Sequence, residues 1–349
     1  MFRLKFTEIP GNPEMINREF IGNPIDEFIE VYERFTSFYA IKHLIADDEL
    51  HKRPLTPKKN RVCRFCGAVY STVERFKSKA HLLPELIGNK NLLSDFECDK
   101  CNSLFGRYEN DLANFLGASR AFHISNAKSG HLKFKSPDKT FIVKKDDEVS
   151  TDEAKLRVES HEEENNHFTL DAENKKVTFH TTRPSYNPHN VYKAFLKIGL
   201  SVLPDTCITD YKIAFAILQS ARKNEEADNP LFKLNLYQHP GPAFPSPMVI
   251  LFEKKQKTDA VPTHIVCLMF HNYTYQLTLP FNEQDKWMFD GKKIVIVPNM
   301  PPFIDKHFAS KFGIPKGNRL NFNFDELKRN EKHDITCTFE DYTDTRLQE

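Results

Sequence analysis

No run of 18 consecutive apolar residues occurs in the 349-residue sequence, so no segment reads as a membrane-spanning helix. Met1-Phe2-Arg3-Leu4-Lys5-Phe6 passes into polar residues and Pro10 without the apolar core of a secretory leader, and the expectation is a soluble, cytoplasmic protein with no membrane partner. An overall charge of one sign is missing too, since 49 Lys plus Arg stand against 48 Asp plus Glu. Repeats and long low-complexity tracts are absent, which argues against a solenoid or a disordered linker protein. From residue 130 onward there is no phosphate-cradling glycine loop, no dinucleotide fingerprint and no second metal cluster, so nucleotide-cofactor chemistry has no signature there.

Cysteine is scarce, with seven in all, but four of the seven are paired as Cys63-x2-Cys66 and Cys98-x2-Cys101. Cys207, Cys267 and Cys337 stand singly. In a chain read as cytoplasmic, two close pairs point to four thiolates around one structural Zn2+ and not to disulfides. Gly67 supplies the backbone freedom a knuckle turn needs before the strand-like Ala68-Val69-Tyr70-Ser71. After the second pair, Leu104, Phe105, Tyr108, Leu112, Phe115 and Leu116 recur at helical spacing. Taken alone, the cysteines fit equally a zinc ribbon or treble clef that only holds a fold or an interface.

His81 lies between the pairs in Lys79-Ala80-His81-Leu82-Leu83-Pro84-Glu85, and the second pair opens Cys98-Asp99-Lys100-Cys101-Asn102-Ser103-Leu104-Phe105-Gly106-Arg107-Tyr108-Glu109. Over residues 61 to 117 this combination resembles the HNH endonuclease family, in its bacterial branch with two CxxC knuckles. The resemblance implies a ββα-metal, treble-clef-like module and hydrolysis of nucleic acid. It implies that His81 is the general base activating water, a role an imidazole fills because its pKa is near neutrality. It implies that Asn91, with Asn89 as the second choice, orients His81, and that Asn102 binds the catalytic divalent ion, Mg2+ or Mn2+, distinct from the zinc. Family members place an acid directly before the base, where this chain has Ala80. Glu85 and Glu109 are the candidates to replace that ligand; the alternatives are a hydrogen-bond acceptor at a helix start for Glu85 and an ion pair with a Lys or Arg for Glu109.

Charge distribution agrees with a phosphate-facing module. Residues 52–130 hold 14 Lys plus Arg against 7 Asp plus Glu, whereas residues 1–51 hold 5 against 10. Arg61, Arg64, Arg75, Lys77, Lys79, Lys90, Lys100 and Arg107 are the cations expected around a DNA groove.

The organisation expected is an acidic helical segment and linker at 1–55, the zinc-stapled module at 56–122, and a larger, mainly antiparallel α+β companion domain at 130–349. The first segment carries one apolar-striped helix from Ile25 to Ala46. The companion shows strand-like runs at His131–Lys135, Thr140–Val143, Lys155–Val158 and Lys176–His180, with a hydrophilic turn or loop at Glu159–Asn166. Helices are expected over Pro188–Leu203 and Asp210–Arg222. Strands follow at Phe232–Tyr237, Met248–Phe252, Ile265–Phe270, Tyr275–Leu279 and Lys293–Val297. Phe270-His271-Asn272-Tyr273-Thr274-Tyr275 reads as a hairpin turn with core aromatics, or as a stacking surface for bases.

The functional expectation is a metal-dependent DNA endonuclease, restriction-like or acting in anti-phage defence. A homodimer that cuts both strands is compatible with it, as is a regulatory ligand or protein on the companion domain. The alternatives are a catalytically inactive zinc module binding nucleic acid or protein, and a ligand sensor with a secondary nuclease output.

Overall fold

A computed structural model of the chain describes residues 2–5, 19–22, 25–47, 55–71, 73, 75–123, 126–127, 130–131, 133–145, 156–160, 167–220, 232–288, 297–302, 304–323 and 326–339. The chain forms two compact units of mixed helix and strand, Met1–Glu109 with Pro188–Asp325, and Asn110–Asn187 with Glu326–Glu349. This division does not follow the expected boundaries. The cysteine pairs share the first unit with most of what was assigned to the companion domain.

In the first unit, helix α1 (Asp26–Phe38) leads directly into strand β1 (Tyr39–Ala46). The single helix expected over Ile25–Ala46 therefore stops at Phe38, where the backbone turns extended at Tyr39 (φ −118°, ψ 143°). Its apolar stripe has a different origin. The register of β1 passes from His43↔Leu251 to Ile41↔Phe252 and leaves Lys42 as a bulge. The bulge shifts the inward side from odd to even positions, so Tyr39, Ile41, Leu44 and Ala46 face one core at spacings that imitate a helix.

Two short strands, β2 (Ala80–His81) and β3 (Leu93–Ser94), pair antiparallel and precede helix α2 (Asp99–Leu116). Helices α3 (Pro188–Ser201) and α4 (Lys212–Gln219) come next, separated by a 3-10 segment at Asp205–Tyr211. Strands β4 (Lys233–Gln238), β5 (Met248–Lys254), β6 (His264–Phe270), β7 (Tyr273–Thr278) and β8 (Lys316–Asn321) complete an antiparallel sheet in the order β8-β4-β7-β6-β5-β1. The turn between β6 and β7 is the expected hairpin, with Phe270 and Tyr275 buried and stacked at 5.4 Å. Strand β8 had no clear signal, because its burial does not alternate. The strand expected at Lys293–Val297 falls outside the described residues except for Val297, as does the Glu159–Asn166 segment beyond Ser160.

Phe35 packs between Tyr39 (4.9 Å) and Phe252 (5.0 Å), fixing α1 on the sheet. Helix α3 is buried on nearly every side, as befits a helix sandwiched within a core. On the sheet side Phe195 meets the Tyr275 ring at 4.8 Å. Gly199 lets α3 approach closely there, since a Cβ at that position would lie 2.5 Å from Leu279.

The second unit contains two three-stranded antiparallel sheets. One is formed by Phe134–Lys135, Phe141–Lys145 and Leu156–Ser160, the other by Phe168–Asp171, Lys176–Thr182 and Lys332–Thr338. Phe141, Val143, Ala118, Ala121 and Ile335 make its core. Among the described residues, no helix is long and apolar enough to cross a membrane.

Candidate functional site

Two turns assemble the cysteine centre in the first unit. In the first, the Cys63 N–H donates to the Ala68 carbonyl (2.7 Å) and the Gly67 N–H to the Cys63 carbonyl (2.8 Å). Gly67 has φ +73°, which a side chain would strain. In the second, the Cys98 carbonyl accepts the Asn102 N–H (2.9 Å) as α2 begins. One sulfur from each of the four cysteines lies within 4.8 Å of the others, and those of Cys66 and Cys98 are 3.7 Å apart. Zn–S bonds of about 2.3 Å require sulfur–sulfur separations of roughly 3.8 Å in a tetrahedron, so the four thiols could hold one zinc ion after sub-ångström closure. Phe65 and Phe105 meet edge-on at 4.7 Å nearby, and Gln219 of α4 donates to the Cys101 sulfur at 3.3 Å.

His81 ends β2, and the loop that follows folds back on it. Pro84 begins a 3-10 turn over Glu85–Ile87, closed by Gly88 at φ +100°. This turn brings Glu85 Oε1 within 2.9 Å of His81 Nε2. Asn89 is buried and sits inside the loop. Its Nδ2 donates to the carbonyls of Leu83 and Leu92, and its Oδ1 accepts the Leu92 N–H (2.9 Å). The same Nδ2 lies 3.5 Å from His81 Nδ1. An amide has two N–H donors, and both are used by the carbonyls. Nε2 of His81 is thus directed at the Glu85 carboxylate, and Nδ1 faces the Asn89 amide.

A buried lysine supports this loop from beneath. Lys197 of α3 donates to the His81 carbonyl (2.6 Å) and lies 3.4 Å from Glu97 Oε2 and 3.5 Å from Glu109 Oε1. Lys197 and Glu97 are 1% and 2% exposed. Burial pushes the Glu97 carboxyl up to about 7, against the opposing pull of Lys197.

The cysteine pairs, the His81 loop and the following helix coincide with one known pattern. Residues 63–112 match the HNH endonuclease family. No curated protein matches the chain, and no solved structure does.

Within this HNH segment the structure brings Asn89, and not Asn91, to His81. Asn91 is exposed, and its backbone N–H bonds Asp47 at 3.0 Å. Glu85 meets His81 itself, and Glu109 takes the ion pair with Lys197 that was the alternative to metal ligation. Asn102 lies half-buried in the first turn of α2. Ala80 is buried and offers no donor.

The cations separate into two groups. Arg75, Lys77, Lys79, Lys90, Lys100 and Arg107 are exposed. Arg61 is half-buried and donates from Nε to the Thr56 carbonyl (2.8 Å). Arg64, expected on a DNA groove, instead faces the end of α3. Its Nη1 donates to the carbonyls of Ser201 (2.7 Å) and Leu203 (3.0 Å), its Nη2 meets Asp205 (2.6 Å), and its guanidinium covers the Phe96 ring at 4.0 Å. A cation at a helix C-terminus satisfies carbonyls that lack intrahelical partners.

Sequence reasoning missed Glu97 and Lys197. The available signal was the pair Lys193 and Lys197, one helical turn apart in the mostly apolar stretch 191–200 of α3. Such lysines are either solvated or paired inside.

Proposed function

We propose that this protein is an endonuclease that hydrolyses DNA phosphodiester bonds with His81 as general base. The observation that carries the reading is the His81 loop within the HNH match: Nε2 engaged by Glu85, Nδ1 beside Asn89, and the main chain held by Lys197. In this reading the module has the ββα-metal fold, with the four cysteines holding a structural zinc.

His81 Nδ1 takes a proton from the attacking water as its oxygen bonds to phosphorus. The Glu85 carboxylate stabilises the imidazolium that forms, as an acidic partner does for other catalytic histidines. The P–O bond to the 3′ oxygen breaks, and that oxygen is protonated from solvent. Asn89 holds the loop and acts on His81 through it, so the orienting role expected of Asn91 passes to Asn89.

The donor set for a resident divalent ion is thin. Ala80 has no ligand atom, Glu85 faces His81 and Glu109 faces Lys197, which leaves the Asn102 amide. Substrate phosphate oxygens would complete the coordination of Mg2+ or Mn2+, as they do in many Mg2+ sites. When bound, the ion neutralises charge on the phosphate. The exposed Arg75, Lys77, Lys79, Lys90, Lys100 and Arg107 supply sequence-independent attraction for the DNA backbone.

The test is supercoiled plasmid incubated with the full chain and Mg2+ or Mn2+, beside an RNA of similar length. Nicked or linear plasmid is expected, and intact plasmid under both ions contradicts the reading. A restriction-like or anti-phage role is a further part of the proposal, tested separately by phage plating on cells expressing wild type or His81→Ala. A ligand-sensing reading has one observation in its favour, a cleft in the second unit lined by Ser136, Asp138, Thr140, His167, His180 and Asp334.

A further inference from the structure

We propose that Cys207, Glu253 and His264 form a second metal site, which takes one Zn2+. Nothing in the sequence signals it, because Cys207 is distant along the chain from Glu253 and His264 and each stands alone. The fold brings them together. Glu253 and His264 are cross-strand partners on β5 and β6, and Cys207 reaches them from the 3-10 segment Asp205–Tyr211. One ligand atom from each lies within 4.8 Å of the other two. Zinc bonds of about 2.0–2.3 Å place ligand atoms roughly 3.3–3.8 Å apart, so closure onto an ion needs movements of an ångström or less.

The state of His264 is the second observation. The residue is 1% exposed, and its Nε2 is buried without a hydrogen-bond partner. Glu253 Oε1 is 3.6 Å away, too far for a hydrogen bond. In the neutral ring either tautomer leaves this nitrogen without a hydrogen bond, which is costly in the interior, and the charged ring has only the 3.6 Å ion pair with Glu253. A metal ion removes that cost. Nδ1 is 2.8 Å from the Tyr211 hydroxyl, the kind of outer contact that orients a metal-binding imidazole.

The other two ligands are held as well. Glu253 Oε2 pairs with Lys42 at 2.9 Å, and Lys42 is the bulge residue of β1, a position that re-aims a side chain. This pairing leaves Oε1 turned toward His264. Cys207 lies between Asp205, gripped by Arg64, and Tyr211, which is fully buried. Cys207 and Glu253 are half-buried, so an ion could enter from solvent. Three protein ligands leave a fourth position open, as in zinc sites that bind water or another small ligand. A thiolate with an imidazole favours zinc over the hard cations, and the carboxylate makes the set less suited to Cu(I).

The experiment measures zinc per full-length chain after zinc loading and gel filtration, backed by zinc titration against a chromophoric chelator. Wild type is expected to retain two ions and Cys207→Ala one, with unchanged far-UV circular dichroism. Glu253→Gln, at a half-buried side chain, provides the same reading if Cys207→Ala does not fold. Equal zinc in the wild type and the folded variant overturns the proposal, and leaves Cys207, Glu253 and His264 as a polar cluster without metal.

Discussion

In the proposed mechanism His81, Asn89 and Glu85 divide the work that the sequence pattern assigns to a histidine and an asparagine. Replacing Asn89 with Ala frees the carbonyls of Leu83 and Leu92 inside the protein, at about 1–3 kcal/mol, whereas Asn91→Ala removes an exposed side chain. Thermal melts should separate the two clearly, with Asn89→Ala lower and Asn91→Ala close to wild type. Both asparagines stand in the same polar turn, Gly88-Asn89-Lys90-Asn91. Sequence spacing cannot tell which one turns inward, because the choice depends on the Gly88 φ of +100° and the register of β2 with β3. His81 was legible as the candidate base because a histidine between two knuckles is a spaced pattern. The role of Glu85 was not, because the 3-10 turn after Pro84 decides where that carboxylate points.

Among the elements, α3 connects the most. It carries Lys197 to the His81 carbonyl, presents its C-terminus to Arg64 and fits the sheet through Gly199. Lys197→Met would take the donor from the His81 carbonyl and the cation from Glu97, whose carboxyl, held at about 7, can protonate, so a loss of about 1–3 kcal/mol is expected. A melting temperature within 2 °C or so of wild type would show that the buried pair contributes little. Gly199→Ala forces Leu279 to move and should cost about 1–3 kcal/mol. Helices α2, α3 and α4 and the strands β4 to β7 were legible from periodicity and composition. The break between α1 and β1 was not, since the Lys42 bulge gives a strand the spacing of a helix. Lys197 went unassigned because a sequence does not say whether a lysine on an apolar helix meets water or a carboxylate.

For the whole molecule, stability should depend on the cysteine centre and on histidines shielded from solvent. Removing zinc should unfold the HNH segment, since structural zinc supplies folding energy in small modules; unchanged circular dichroism and melting after chelation would contradict the assignment. Acid should destabilise both units. Burial pushes His239 in the first unit and His123 in the second down to about 4, below the ordinary value near 6.5. A histidine depressed in the folded state contributes stability that is present above pH 6.5 and is lost as pH falls toward 4, because only the unfolded chain takes up the proton. By pH 5 each histidine should cost about 2 kcal/mol, which melting curves at pH 7.5, 6 and 5 would record. No such decline would mean that these rings are already charged or exposed.

The central claim is that His81 performs the chemistry while the cysteines only hold the module. The most direct measurement is plasmid nicking by wild type and His81→Ala at matched zinc content and matched melting temperature. The account predicts loss of about 10²-fold or more in the variant, with zinc unchanged. Equal nicking by the two proteins would contradict it.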